Sequence, residues 1–208
     1  RKVELGTLLG ADGAWVNLAM NSPGQIYGPG KDGAEPEWWD DVANATITDE
    51  DTAGEGIADK TERCFKVVTT ADDVYGYQPL TFANESLLDA GQTVVSFSCW
   101  VWCDAATASI GIYGTNLGLE ESSQHTGGSS WELLTVENIT LDAADASIQL
   151  RLIVDTDTAY FTMPMCNIGS KSLPWTPRQF TWEPAARVEL YSQTPGGAVA
   201  WSDLDITA

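Results

Sequence analysis

The stretch that most constrains this chain is residues 93–103, TVVSFSCWVWC. It is rich in β-branched and aromatic residues and carries no charge. Asp89, Ala90 and Gly91 precede it and Asp104 follows, so it reads as a strand in the middle of a sheet. Side chains alternate across a strand, which puts Val95, Phe97, Cys99, Val101 and Cys103 on one face and Ser96, Ser98, Trp100 and Trp102 on the other. The first set predicts core. The second face has two readings. One is a second packed layer, in keeping with the usual burial of tryptophan. The other is a sugar-stacking surface, because a flat indole beside hydroxyls suits the face of a pyranose.

The same kind of segment recurs at short intervals, separated by Gly, Asp and Asn. Strands are expected at residues 43–48, 63–70, 75–82, 93–103, 108–114, 131–141, 147–154 and 159–168. No segment sustains a 3.6-residue apolar period behind a helix cap. The prediction is an all-β protein, a two-sheet antiparallel β-sandwich of jelly-roll type with short extra β segments at both ends. Three parts follow: an N-terminal strand and connector (1–13), the jelly roll (14–170), and a Pro-rich linker with a β tail (171–208). Within the second part, residues 15–39 are rich in Gly, Pro and Asn and read as irregular chain wrapped on a surface. They end at Trp38 and Trp39, which point apart if extended, so one is expected in the core. In the tail, Pro174, Pro177 and Pro184 favour an extended linker, followed by strand-like 186–192 and 198–206. Two strands alone are marginal in water, so this tail is expected to pack on the domain, on the first ten residues or on a neighbouring subunit.

Thirty acidic residues against ten basic ones give a net charge of −20, with no run of Lys or Arg. Nucleic acid and anionic membranes would be repelled, and neither is expected as a partner. The acids fall in turn-like clusters such as Asp49-Glu50-Asp51 and Asp155 to Asp157. A solvated surface explains them; adaptation to salt or weak calcium binding also fits. No apolar run approaches the roughly 18 residues that span a bilayer, which predicts a soluble chain. The sequence begins at Arg1 with no signal pattern and reads as processed or partial. Cys64, Cys99, Cys103 and Cys166 allow three full pairings. Cys99 and Cys103, about 13 Å apart on one strand, cannot pair with each other. Each cysteine sits in an apolar segment and is expected as a buried thiol.

Chemistry-bearing motifs are few. The single histidine, His125, lies in the loop QHTGGSSW, and a Ser-His-acid hydrolase would have to use it, yet the sequence has no GxSxG elbow. One His, and cysteines without CxxC spacing, do not make a zinc site. There is no P-loop and no dinucleotide fingerprint, and thirty acids make any carboxylate pair uninformative. No catalytic residue, metal or cofactor is expected. The candidate ligand-binding residues are Trp100, Trp102, Tyr113, His125 and Trp131. For His125 the alternative is a solvated loop side chain. Asn44, Asn84 and Asn138 begin Asn-x-Ser/Thr sequons, which matter only in a eukaryotic secretory product.

The order of NLAMNS (17–22), EPEW (35–38), VVSFSCWVW, SIGIYG, HTGGSSWELLTV, IQLRLIV and AYFTMPMCNIGS resembles carbohydrate-binding-module-like jelly rolls over roughly residues 15–170. Such domains occur in secreted glycoside hydrolases and in phage structural proteins such as tail fibres, head fibres and decoration proteins. LPWTPR (173–178) resembles the exit from the module in phage chains. The family often holds a structural calcium through an Asp after the aromatic pair of its closing strand. Here Thr162, Met163 and Pro164 follow Tyr160-Phe161, a poor donor set, and no metal is expected there. The resemblance and the two end segments together imply a non-enzymatic virion structural or adhesion protein, on a virion surface or extracellular. Its partners would be other virion subunits, further copies of itself joined through the end segments, or surface glycans. The alternative is a sugar-binding module of a secreted polysaccharide-degrading enzyme. A third reading is a small lyase or hydrolase on the same fold.

Overall fold

The computed structural model describes residues 17–19, 36, 39–57, 63–81 and 93–175. The expected strand in residues 1–10, Trp38, Asn84 and the tail beyond residue 175 lie outside the described residues. Among the described residues ten strands form: β1 (Asp40–Asp41), β2 (Ala45–Asp51), β3 (Arg63–Thr69), β4 (Val74–Thr81), β5 (Val94–Cys103), β6 (Ala108–Gly114), β7 (Gly118–Glu121), β8 (Ser130–Thr140), β9 (Ser147–Val154) and β10 (Thr158–Ile168). They make two five-stranded sheets, β2-β3-β10-β5-β8 and β1-β4-β9-β6-β7, with every pairing antiparallel. No helix occurs among the described residues, so none there is long and apolar enough to cross a membrane.

The predicted β-sandwich is the observed fold, and the reason is visible in the alternation. On β5, Val95, Phe97, Cys99, Val101 and Cys103 are all buried between the sheets, opposite Ile148, Leu150, Leu152 and Val154 of β9 and Ile110 and Ile112 of β6. Trp39 is the core member of the tryptophan pair, with its ring 5.1 Å from that of Phe65. All four cysteines are free and buried. Two strands were absent from the sequence expectation. β1 has only two residues, and β7 (GLEE) is short and polar. β7 exists because Gly118, at φ 81°, lets the chain double back from β6, and because the Asp145 carboxylate accepts the backbone N–H groups of Asn116 and Leu117.

β10 carries a bulge between Thr162 and Met165, with Met163 at φ 54° and Pro164 beside it. Asn17 repairs the interrupted ladder. Its Nδ2 donates to the Pro164 carbonyl at 2.9 Å, and its Oδ1 accepts from the Cys166 N–H at 3.0 Å. Leu18 N–H donates to the Cys166 carbonyl at 2.7 Å. Past β10, Lys171 pairs with Glu137 at 2.8 Å and Leu173 N–H donates to Asn167 Oδ1, so residues 171–173 pack back on the first sheet.

Candidate functional site

The two sheets present very different outer faces. On the first, cross-strand register aligns Trp131 (β8), Trp102 (β5), Tyr160 (β10) and Lys66 (β3) in one row. The Trp102 and Tyr160 rings meet edge-on at 5.5 Å. The chain after β2 folds over this row. Ile57 packs with Cys64, Tyr160, Trp102 and Trp131, and Glu55 accepts hydrogen bonds from the Tyr160 hydroxyl and from Lys66 Nζ, each at 2.8 Å. Burial and the Glu55 carboxylate push the Tyr160 phenol well above its usual range, so it stays a donor. At the other end of the face Ser96 is buried. It donates to the Gly169 carbonyl at 2.9 Å and accepts from Asn138 N–H at 3.2 Å. Ser98 is buried too, while Trp100, Trp102 and Trp131 are half-buried. Of the two readings of this face, the geometry has the form of a second packed layer, because Ser96 and Ser98 are buried and the Ser96 hydroxyl is used inside the protein.

His125 corrects the expectation of a solvated or ligand-facing side chain. It is 0% exposed. Gly127 N–H donates to its Nδ1 at 2.8 Å, which leaves the proton on Nε2, 3.0 Å from the Ser130 carbonyl. Both ring nitrogens hold the loop between β7 and β8, and neither is offered to a ligand.

Tyr113, the fifth candidate, lies across the sandwich from the tryptophans, on the outer face of the second sheet. That face has a different chemistry. β9 sends Gln149, Arg151 and Ile153 outward, β4 sends Tyr75, Tyr77 and Pro79, and β6 sends Ser109 and Tyr113. Tyr75 stands opposite Ile153 and Tyr113 opposite Gln149, so the two rings flank Arg151 diagonally from opposite sides. The guanidinium carbon lies 3.9 Å from the Tyr75 ring centroid and 3.7 Å from that of Tyr113. Such stacking is worth about 0.5–2 kcal/mol per ring. In the guanidinium plane, Nε and Nη2 donate to Gln149 Oε1 at 3.0 and 2.7 Å. Tyr77 stacks edge-on against Tyr75 at 6.0 Å and donates its hydroxyl to Asp40 at 3.2 Å. The tyrosines and Gln149 are half-buried around a floor of buried Arg151, Ile153 and Ser109. Flat rings with fixed polar groups between them are the ingredients of a carbohydrate platform.

The sequence reasoning named only Tyr113 of this set. A signal was available: Tyr75 and Tyr77 are two apart on one strand, and Arg151 is the single charge in the apolar strand SIQLRLIV.

At the position where the resemblance places calcium, Thr162 is buried with its hydroxyl donating to the Arg63 carbonyl, and Cys99 Sγ lies 3.2 Å from the Thr162 carbonyl. A hydroxyl, a thiol and carbonyls without a carboxylate do not fit calcium. Among the described residues no three His, Cys, Asp or Glu side chains are grouped to hold a metal ion.

No protein-family model matches the chain, and no curated protein matches it. Solved structures do. The C-terminal family 22 carbohydrate-binding module of Clostridium thermocellum Xyn10B, described for ligand binding in its cleft, aligns over 79% of this chain and 99% of its own, at 12% identity and TM-score 0.51. A family 22 xylan-binding domain aligns over 66% and 90%, at 11% identity and TM-score 0.51. An arabinose-bound GH51 α-L-arabinofuranosidase aligns over 77% of this chain at 13% identity and TM-score 0.50, and the chain spans only 27% of that enzyme. At these identities the likeness is one of fold: the chain has the jelly roll of a carbohydrate-binding module. The first two neighbours are binding modules rather than catalytic domains.

Proposed function

We propose that this chain is a non-catalytic, extracellular glycan-binding module whose ligand lies on the outer face of the second sheet, against Tyr75, Tyr77, Tyr113, Gln149 and Arg151. The observation that carries the reading is the guanidinium of Arg151 held between two tyrosine rings at 3.9 and 3.7 Å on a half-open face. This arrangement fixes two aromatic planes and a fan of hydrogen-bond donors before any ligand arrives, which lowers the ordering cost of binding. Trp100, Trp102 and Trp131 belong to the covered face and act in folding; His125 pins a loop. Xylan is the first polysaccharide to test, because a neighbour of the same fold is described as binding it. The test is titration calorimetry of the chain with xylohexaose and with other β-linked oligosaccharides, neutral and uronic-acid-substituted, for the wild type and Tyr113→Ala. Saturable binding that weakens in the variant supports the proposal, and no heat with any of them refutes it. The virion-subunit reading rests on the end segments, which beyond residues 171–175 lie outside the described residues, and it draws no support from the fold.

A further inference from the structure

Four basic side chains lie among the described residues, and three of them meet a carboxylate: Arg63 with Asp49 at 3.1 Å, Lys66 with Glu55 at 2.8 Å and Lys171 with Glu137 at 2.8 Å. Arg151 does not. Although it is only 9% exposed, its in-plane partner is the neutral Gln149 amide oxygen, and its faces are covered by Tyr75 and Tyr113. In a chain with thirty acids this is a choice of surroundings that needs a reason. A buried guanidinium ordinarily acquires a counter-ion, because removing its charge from water is costly. Burial does depress the Arg151 pKa, and no carboxylate opposes that shift.

The geometry of the donors is informative. A guanidinium has two forks, Nε with one hydrogen of Nη2, and Nη1 with the other. Gln149 Oε1 occupies the first. The second fork has no partner among the described residues, and its shape is that of a bidentate carboxylate site. Cross-strand register adds a limit. Asp40, Tyr77, Arg151, Gly111 and Glu121 form one row across the sheet, so a carboxylate stands two strands away on either side, roughly 10 Å from Arg151. Both are already held, Asp40 by the Tyr77 hydroxyl and Glu121 by the Ser109 hydroxyl. The row therefore reads negative, neutral, positive, neutral, negative.

We propose that Arg151 is the receptor for one isolated sugar carboxylate, so that the preferred ligand is a largely neutral polysaccharide carrying sparse uronic acid substituents. A densely charged polyuronate is disfavoured, since its next carboxylates meet Asp40 or Glu121 and the −20 charge of the chain. A fully neutral glycan leaves the second fork to water. This inference rests on the glycan-binding reading above and refines it.

The experiment compares three probes on the full chain by titration calorimetry: xylohexaose, the same oligosaccharide carrying a single glucuronic acid, and the methyl ester of that acid. The proposal predicts that the acid binds at least tenfold tighter than the other two, as expected for one charge-assisted bidentate pair. It also predicts that the preference shrinks as salt rises and disappears in Arg151→Gln. The ester comparison uses unaltered protein, so it stands even if that variant misfolds. Equal affinity for acid, ester and neutral probe overturns the carboxylate inference and leaves the glycan-binding reading intact. Absence of binding by all three overturns both.

Discussion

The Arg151 guanidinium sits 3.7 Å from the ring centroid of Tyr113, although the two residues lie on different strands and are not directly opposed. Tyr113 stands opposite Gln149, and Gln149 in turn holds the guanidinium edge. Three side chains thus fix one another through two neighbouring strands. A loop would not hold the same groups as precisely in place, because sheet register sets the spacing here.

Tyr113→Ala removes one plane of this clamp and one surface for a sugar ring. It should weaken glycan binding by about tenfold, from a loss of roughly 1–2 kcal/mol. Tyr113 is half-buried on an outer face, so the lost stacking on Arg151 should lower the melting temperature by only a few degrees. Calorimetric titration beside a melting curve checks both halves.

Trp102→Ala should act the other way round. Trp102 packs on Tyr160 and over Cys64 and Ile57, so its loss opens the covered face and costs about 2–3 kcal/mol of stability, less than for a fully buried tryptophan. Glycan affinity of the folded fraction should be unchanged. Denaturant titration with a parallel binding assay is the check.

Replacing the buried His125 by Ala leaves a cavity and removes the partner of the Ser130 carbonyl and the Gly127 N–H, two part-buried hydrogen bonds. The expected cost is about 2–3 kcal/mol, read from the urea midpoint. Ligand affinity should again be preserved, which separates a loop pin from a contact residue.

Acid should destabilise the fold through Glu55. The hydrogen bond from Lys66 holds this carboxyl below its ordinary 4.5, with the Tyr160 hydroxyl adding to the effect and burial opposing it. A group with a depressed folded pKa contributes stability that is complete above its unfolded value and is lost as pH falls through the folded one. Stability measured by urea unfolding should therefore be level above about pH 5.5 and fall below about pH 4.5. Glu55→Gln should show a shallower fall; a slope identical to the wild type would remove Glu55 from the account.

How much of this was legible in the sequence differs by element. The period-2 alternation of TVVSFSCWVWC placed the core residues of β5, and turn residues separated eight of the ten strands. β1 and β7 were illegible because two residues, or the polar GLEE, carry no alternation; β7 depends on Gly118 and on the Asp145 carboxylate, 29 and 28 residues along the chain from the Asn116 and Leu117 N–H groups it accepts from. The binding face was legible only in fragments. Tyr75, Arg151 and Tyr113 become neighbours through the order β4-β9-β6, and sheet order is set by tertiary packing rather than by any local pattern. The indoles drew attention because they are large and two apart on one strand, yet Ser96 and Ser98 on the same face are buried, and the Ser96 hydroxyl is bonded to the Gly169 carbonyl.

The decisive measurement is calorimetric titration of the wild type, Tyr113→Ala and Trp100→Ala with the same oligosaccharide panel. The account predicts saturable binding by the wild type, loss of about tenfold in affinity for Tyr113→Ala, and unchanged affinity for folded Trp100→Ala. Binding abolished in Trp100→Ala and intact in Tyr113→Ala would contradict it, and would move the ligand to the opposite sheet.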